Sequence, residues 1–331
     1  MKYRQTAAAG LLLALILCGC AAGQAKAEFY AMDTVMQITA CGVGAQEAVH
    51  AAQTEVYRLE SLFSCREASA ELARCNAGQT ALSTETAELI GRALELSAQT
   101  DGAYDPSLGA LTAAWGFDDG NYRVPDAAQR AEALRCCGTD KVSLTENAAV
   151  LSGGVQLDLG GIGKGCAAAH VRQILLDGGI RSAIVSLGGN VCAVGAKPDG
   201  TDWTIGLQDP REPSSYFGTV AVRDAAVVTS GGYQRYFEQN GVRYHHILDG
   251  KTGAPAESGL LSVSVVSTDD TLADALSTAL YVMGLEKGIA FWRAGGADFE
   301  AVWMTEDGSV WLTSGLCDAY RSQTPYQVVE R

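Results

Sequence analysis

The sequence predicts an α+β fold in which mixed and antiparallel sheets are covered by helices. Three observations carry this. Helical spacing of apolar residues is strong early in the chain, short β-type runs dominate after Val142, and the two do not alternate as they would in a βαβ chain. With 331 residues, 47% of them apolar, the chain can bury a large core.

Taken in order, Phe29 to Cys41 reads as a strand. Ala45 to Phe63 reads as a helix, because Val49, Ala52, Val56 and Leu59 recur at three and four. Ser83 is placed to cap a second helix, with Glu85 in its first turn and Gly102 beyond its end. The segment GAYDPSLGAL is loop-like, punctuated by Pro106. Val155–Leu159, Ala183–Leu187, Trp203–Leu207, Thr219–Val222, Leu260–Ser267 and Phe299–Met304 are short β-type runs between turn residues. Two helices interrupt them, about Gly165 to Leu176 and about Thr271 to Met283, the latter stopped by Gly284.

The N-terminus reads as an address. Lys2 and Arg4 precede an apolar run from Ala7 to Leu17, which is too short to span a bilayer and suits a signal segment. It ends in Leu17-Cys18-Gly19-Cys20, which resembles a bacterial lipobox and implies cleavage before Cys20 and lipidation of its thiol. The expected organisation is a signal peptide (1–19), the lipidated cysteine with a short tether (20–27) and a single catalytic domain (28–325). The expected location is the outer face of the bacterial cytoplasmic membrane, reached through the lipid anchor alone. A net charge of −14 argues against a nucleic-acid partner, since an acidic surface repels phosphates. The ten cysteines show no metal-type CxxC spacing and read as scattered free thiols.

Three stretches carry chemistry. LDLGGIGKG (Leu157–Gly165) fits neither a P-loop nor a dinucleotide fingerprint, because Asp158 and Cys166 stand where glycines are required. Its glycines, the following helix N-terminus and Lys164 still suit an anion; a tight turn with a solvent-facing lysine is the alternative. TLADALSTAL places Asp274 and Thr278 four apart, on one face of a helix. A carboxylate beside a hydroxyl suits Mg²⁺, while an exposed Asp with a back-bonding Thr would need no metal. RYHHILDGKTGAP holds two adjacent histidines that point to opposite sides of a strand, so at most one faces a given pocket, as a base or as a structural imidazole.

MDTVMQI, GAYDPSLGALTAAWGF, LDLGGIGKG, VSLGGNVCAVG, TSGGYQRYF, RYHHILDGKTGAP and ADALSTAL occur in the order seen in the ApbE family, which the chain resembles from about Met32 to about Tyr320. The resemblance implies an ApbE-type fold related to T-fold-like domains and an FAD:protein FMN transferase activity. Mg²⁺ would be the cofactor and FAD the substrate. FMN would pass to a Ser or Thr hydroxyl of a target flavoprotein, such as a subunit of an Rnf or Nqr redox pump, with release of AMP. It also implies roles for residues. Met32, Ala103, Tyr104, Asp105, Asp158, Lys164 and His246 would contact FAD. Gly161, Asp274 and Thr278 would bind the metal, with Ser277 close by. His246 or Asp274 would be the base, leaving His245 structural. The stretch FSCREASAELARCN departs from the family pattern: Arg66 stands where members carry an aromatic residue, and would stack on FAD or contact its phosphate. A metal-dependent FAD pyrophosphatase and a non-catalytic flavin-binding lipoprotein are the competing readings.

Overall fold

The computed structural model describes residues 23–331. The signal segment and Cys20 lie outside the described residues. β1 (Gln24–Ala31) and β2 (Thr34–Cys41) form a hairpin where a single strand was expected. Met32 and Asp33 both take positive φ (47° and 62°), the left-handed pair that a two-residue hairpin turn needs. No glycine marks this turn, so the sequence hides it. Because β1 starts at Gln24, the last four residues of the expected tether belong to the sheet.

α1 (Ala45–Phe63) has the predicted bounds and buries the predicted stripe. α2 (Glu71–Asn76), α4 (Gly109–Trp115) and α5 (Ala127–Cys136) were not anticipated; the first two are under two turns long, too short for periodicity to show. α3 (Thr84–Gln99) follows its predicted cap, with the Thr86 N–H donating to Ser83 Oγ at 3.3 Å. β3 (Val142–Thr145) and β4 (Ala148–Leu151) form a small hairpin. Val155–Leu159 is not a strand. Val155, Leu157 and Leu159 alternate inward as a strand would, yet the Asn76 amide grips both backbone groups of Leu157 at 2.8 Å. Asp158 N–H goes to Pro106 O at 2.8 Å, and one isolated bridge joins Gln156 to Leu108.

α6 (Gly163–Asp177) follows. Then come β5 (Ser182–Leu187), β6 (Asn190–Gly195), β7 (Trp203–Asp209), β8 (Glu212–Val222) and β9 (Ala226–Gly231). The ribbon β10 (Tyr236–Gln239) and β11 (Val242–His245) precedes the two-residue strands β12 (Leu248–Asp249) and β13 (Ala254–Pro255). β14 (Leu260–Ser267), α7 (Asp270–Ala294), β15 (Glu300–Thr305), β16 (Val310–Thr313), β17 (Tyr320–Arg321) and β18 (Tyr326–Val329) complete the chain. Gly284 does break α7, with φ 76°, but a further helical segment continues to Ala294 across the kink.

The central sheet has nine strands in the order β1-β2-β5-β6-β9-β14-β15-β16-β18, antiparallel except for the β16–β18 pair. Successive side chains leave opposite faces. Val185, Val228 and Ala301 point to the helices α1, α6 and α7, whereas Ile184, Val227 and Val302 point to a second sheet of order β17-β8-β7. The sheet is thus buried on both faces. A third cluster, Leu111, Trp115, Phe117, Ala133 and Leu248, seats the β10–β11 ribbon against α4 and α5. The helices α6 and α7 pack unusually close. A β-carbon at Gly165 would stand 2.4 Å from Asp270 O and 2.7 Å from Asp274 Cβ, so only glycine fits there. The buried Arg172–Asp270 ion pair (2.9 Å) locks the same two helices.

Candidate active site

Close packing of α6 on α7 brings the glycine loop to the Asp274 helix face. Asp274 is buried, and its Oδ2 accepts the Gly165 N–H at 2.8 Å. Its Oδ1 lies 3.8 Å from Lys164 Nζ, which also donates to Gly160 O at 3.1 Å. The expectation of an amide cradle is therefore modified. Gly165 N–H serves Asp274 and Gly163 N–H serves Leu159 O, so positive charge here comes chiefly from Lys164 and the helix end.

Thr278, one turn beyond Asp274, is half-buried and faces the loop: a β-carbon on Gly161 would stand 3.6 Å from its Oγ1 and 3.1 Å from Tyr104 Cε2. Ser277 is fully buried and donates to Asp274 O at 2.8 Å. Ser230, on β9, reaches across to Ser277 Oγ (2.8 Å) and Thr278 Oγ1 (3.5 Å). The hydroxyls of Ser230, Ser277 and Thr278 form one connected chain beneath the loop.

Asp158 sits at the loop's start. Its Oδ1 accepts the Gly160 N–H (2.8 Å) and its Oδ2 the Thr112 hydroxyl (3.1 Å). The Tyr104 ring packs against Gly161, and its hydroxyl is buried without a hydrogen-bond partner. Burial, with Asp274, Asp158 and Asp105 nearby, raises its pKa well above the ordinary value. Asp105 is engaged locally, its Oδ1 accepting the Ser107 N–H (2.8 Å) and hydroxyl (2.6 Å), and Ala103 is half-buried on the same loop.

The two histidines have different surroundings. His245 Nε2 donates to Ala256 O (3.2 Å), and the ring packs edge-on against Tyr281. His246 Nδ1 lies 3.1 Å from Arg235 O; since a carbonyl only accepts, Nδ1 carries the proton and Nε2 keeps its lone pair. Burial, with Arg235 next, pushes the His246 pKa down to about 3, so the ring is neutral near pH 7. His246 also stands edge-on to the Phe117 ring, 6.4 Å between centroids.

Met32 and Arg66 occupy a different wall. Met32 sits on the hairpin turn, its N–H donating to Glu60 Oε1 at 2.6 Å. Arg66 pairs with Asp33 Oδ2 (2.5 Å) and donates to Phe117 O (2.9 Å). Asp274, Thr278, Ser277, Gly161, Lys164, Tyr104 and Asp158 thus share one close cluster; His246 and Arg66 meet at Phe117, one on its ring and one on its carbonyl oxygen, and Met32 lies on the hairpin turn beside Asp33, the partner of Arg66. Sequence reasoning missed Ser230, Thr112, Arg235 and Asn76. Ser230 and Arg235 lie within TSGGYQRYF, but their roles depend on β9 crossing over α7 and on the ribbon folding back.

The donors fit a hard divalent cation. Asp274 offers a buried carboxylate, Thr278 a half-exposed hydroxyl one turn on, and Gly161 a backbone carbonyl on the adjoining loop. The unpartnered Tyr104 hydroxyl gives the same pocket a polar atom awaiting a ligand. Among the described residues a separate group, Glu55, Glu85 and His170, also has metal-like spacing, but Arg58 bridges both glutamates there.

A nine-stranded sheet clad by helices on one face and a small sheet on the other, with carboxylate, hydroxyl and lysine groups gathered where two helices meet, defines an α+β protein. The ApbE family model matches residues 32–303, and the chain belongs to the ApbE family. It is 35% identical to an FAD:protein FMN transferase of Treponema pallidum over 97% of both chains. It is 35% identical to one of Klebsiella pneumoniae, covering 78% of this chain and 82% of that protein. Its fold is similar to the crystal structure of the ApbE protein of Thermotoga maritima, with TM-score 0.85 and 32% identity over 91% of this chain and all of that one. It is also similar to the flavin transferase ApbE of Vibrio cholerae, with TM-score 0.80 and 27% identity over 90% of this chain and all of that one.

Proposed function

We propose that the chain transfers FMN from FAD to a Ser or Thr hydroxyl of a target flavoprotein, releasing AMP, with Mg²⁺ as cofactor. The observation that carries this is the Asp274–Thr278–Lys164 junction, which sets a carboxylate, a hydroxyl and an ammonium around one loop. The named activity of the relatives, over nearly the whole chain, supports it.

Asp274, the Thr278 hydroxyl and the Gly161 carbonyl would hold Mg²⁺, with the Ser277–Ser230 hydroxyl chain fixing Thr278. When bound, the cation would neutralise the diphosphate and make AMP a better leaving group. Lys164 adds a fixed positive charge at the same point and needs no rearrangement to act. His246 is the stronger candidate for the base. The Nδ1–H bond to Arg235 leaves the lone pair on Nε2, whereas Asp274 is already committed to Gly165 and Lys164. The acceptor oxygen would form its bond to the FMN phosphorus, its proton would pass to His246 Nε2, and the bond to the AMP oxygen would break with its electron pair leaving on AMP. The acceptors we propose are flavoprotein subunits of Rnf- or Nqr-type electron-transfer complexes.

We further propose that the protein is exported and lipid-anchored through Cys20. No helix of the described residues is long and apolar enough to cross a membrane. Only residues 21–23 separate Cys20 from β1, so the linker reaches about 14 Å at most. Fractionation tests it: Cys20→Ala should move the chain from the membrane to the soluble fraction, and continued membrane association would contradict it. The activity is tested by incubating FAD and Mg²⁺ with the chain and an acceptor bearing a Ser/Thr flavinylation site. AMP with free FMN and an unmodified acceptor would point instead to pyrophosphate hydrolysis.

A further inference from the structure

The guanidinium groups of Arg235 and Arg66 meet at one atom. Both donate through Nη2 to the carbonyl oxygen of Phe117, Arg66 at 2.9 Å. Two donors on one oxygen hold the two positive charges within roughly 6 Å of each other. Such a pair repels unless anions compensate it. Compensation in the fold is one-sided. Arg66 has Asp33, a half-exposed carboxylate on the hairpin turn. Among the described residues Arg235 makes no ion pair, and its guanidinium has only the Phe117 carbonyl and, 6.0 Å away, the Phe117 ring.

The pair also has a defined position. The backbone carbonyl of Arg235 holds both the N–H and Nδ1 of His246, each at 3.1 Å. The Phe117 ring packs on the same imidazole. The two guanidiniums therefore border His246, and the charge of Lys164 on the glycine loop also acts on that imidazole. Each guanidinium has five N–H donors in a planar fork that matches phosphate oxygens. On a chain of net charge −14, an anionic nucleotide needs such a local concentration of positive charge.

We infer that Arg235 and Arg66, clamped side by side on the Phe117 carbonyl, bind a phosphate of the nucleotide substrate across the site from Lys164. The inference rests on the function proposed above. It makes Arg235 a substrate-binding residue and gives Arg66 a phosphate contact in place of aromatic stacking.

The test is titration calorimetry of the full chain in detergent with four probes: FAD, ADP, riboflavin and adenosine. Arg235→Gln can still donate to Phe117 O but carries no charge, and Arg66→Gln does the same on the other side. Loss of a charge-assisted bond predicts FAD and ADP affinities falling about 10- to 100-fold in each variant, with riboflavin and adenosine changed less than about twofold. Arg235→Lys should recover part of the loss, because charge returns without the fork. ADP and FAD affinities unchanged in both glutamine variants would overturn the clamp. So would equal weakening of all four probes, which would mean that the arginines only brace the wall. Should Arg235→Gln not fold, Arg66→Gln alone decides by the same criteria. Failure of the unaltered chain to bind FAD would instead refute the proposed function, which separates the two failures.

Discussion

Asp274 performs two tasks that substitution can pull apart. Its Oδ2 satisfies the Gly165 amide inside the α6–α7 contact, and its charge faces Lys164. Asp274→Ala removes both. It leaves a buried N–H without a partner, which costs about 1–3 kcal/mol. For a chain of this size that corresponds to a melting temperature lower by roughly 1.5–4.5 °C. Asp274→Asn keeps an oxygen for the Gly165 N–H and loses only the charge, so it should cost less than about 1 kcal/mol. Both should lose nearly all FMN transfer, on the order of 100-fold or more, because the carboxylate is the one anionic group in the ligand set. The assay pairs calorimetric melting with AMP release at saturating Mg²⁺. Full turnover in Asp274→Asn would refute the role of the charge. Equal melting temperatures for the two variants would refute the account of the Gly165 bond.

Two glycines should respond differently. A methyl at Gly165 meets backbone at 2.4 Å, so Gly165→Ala should destabilise by roughly 3 kcal/mol or more in denaturant unfolding, whereas a methyl at Gly161 meets the Tyr104 ring edge at 3.1 Å and Thr278 Oγ1 at 3.6 Å, so Gly161→Ala should lower turnover with little stability loss. Ser230→Ala should raise the Mg²⁺ concentration for half-maximal activity about 10- to 100-fold, since Ser230 orients Thr278; an unchanged Mg²⁺ titration would exclude that role. The pH dependence follows from His246. Its folded pKa of about 3 lies below the unfolded value near 6.5, so the unfolded chain protonates first as pH falls. The stability tied to its neutral ring is present above about pH 6.5 and is lost on acidification toward the folded value. Wild type should therefore lose more stability between pH 7 and pH 5 than His246→Gln. The acid limb of turnover should not fall near pH 6.5.

What the sequence revealed and concealed follows from range. α1 and β14 announce themselves by periodicity, α3 by Ser83, and the Asp274–Thr278 face by spacing within one helix. The Met32–Asp33 turn was hidden because two non-glycine residues adopt left-handed backbone that only the pairing of β1 with β2 enforces. Val155–Leu159 mimics a strand because alternate residues are buried, yet a side-chain amide from α2 supplies the backbone partners. Within the site, the glycine loop was visible as an anion-friendly element, but not that Asp274 would take its helix amide. Ser230, Arg235 and Phe117 were out of reach for the same reason. Their contacts span between 47 and 118 residues, and nothing local in TSGGYQRYF or AAWGF encodes them.

The central claim is group transfer to protein at the Asp274–Lys164–His246 site. Intact mass spectrometry of an acceptor flavoprotein domain, incubated with FAD, Mg²⁺ and the chain, tests it most directly. The account predicts an acceptor heavier by one FMN, an equal amount of AMP, and loss of both on chelation or in Asp274→Asn. An acceptor of unchanged mass while FAD is consumed, or full modification in Asp274→Asn, would contradict it.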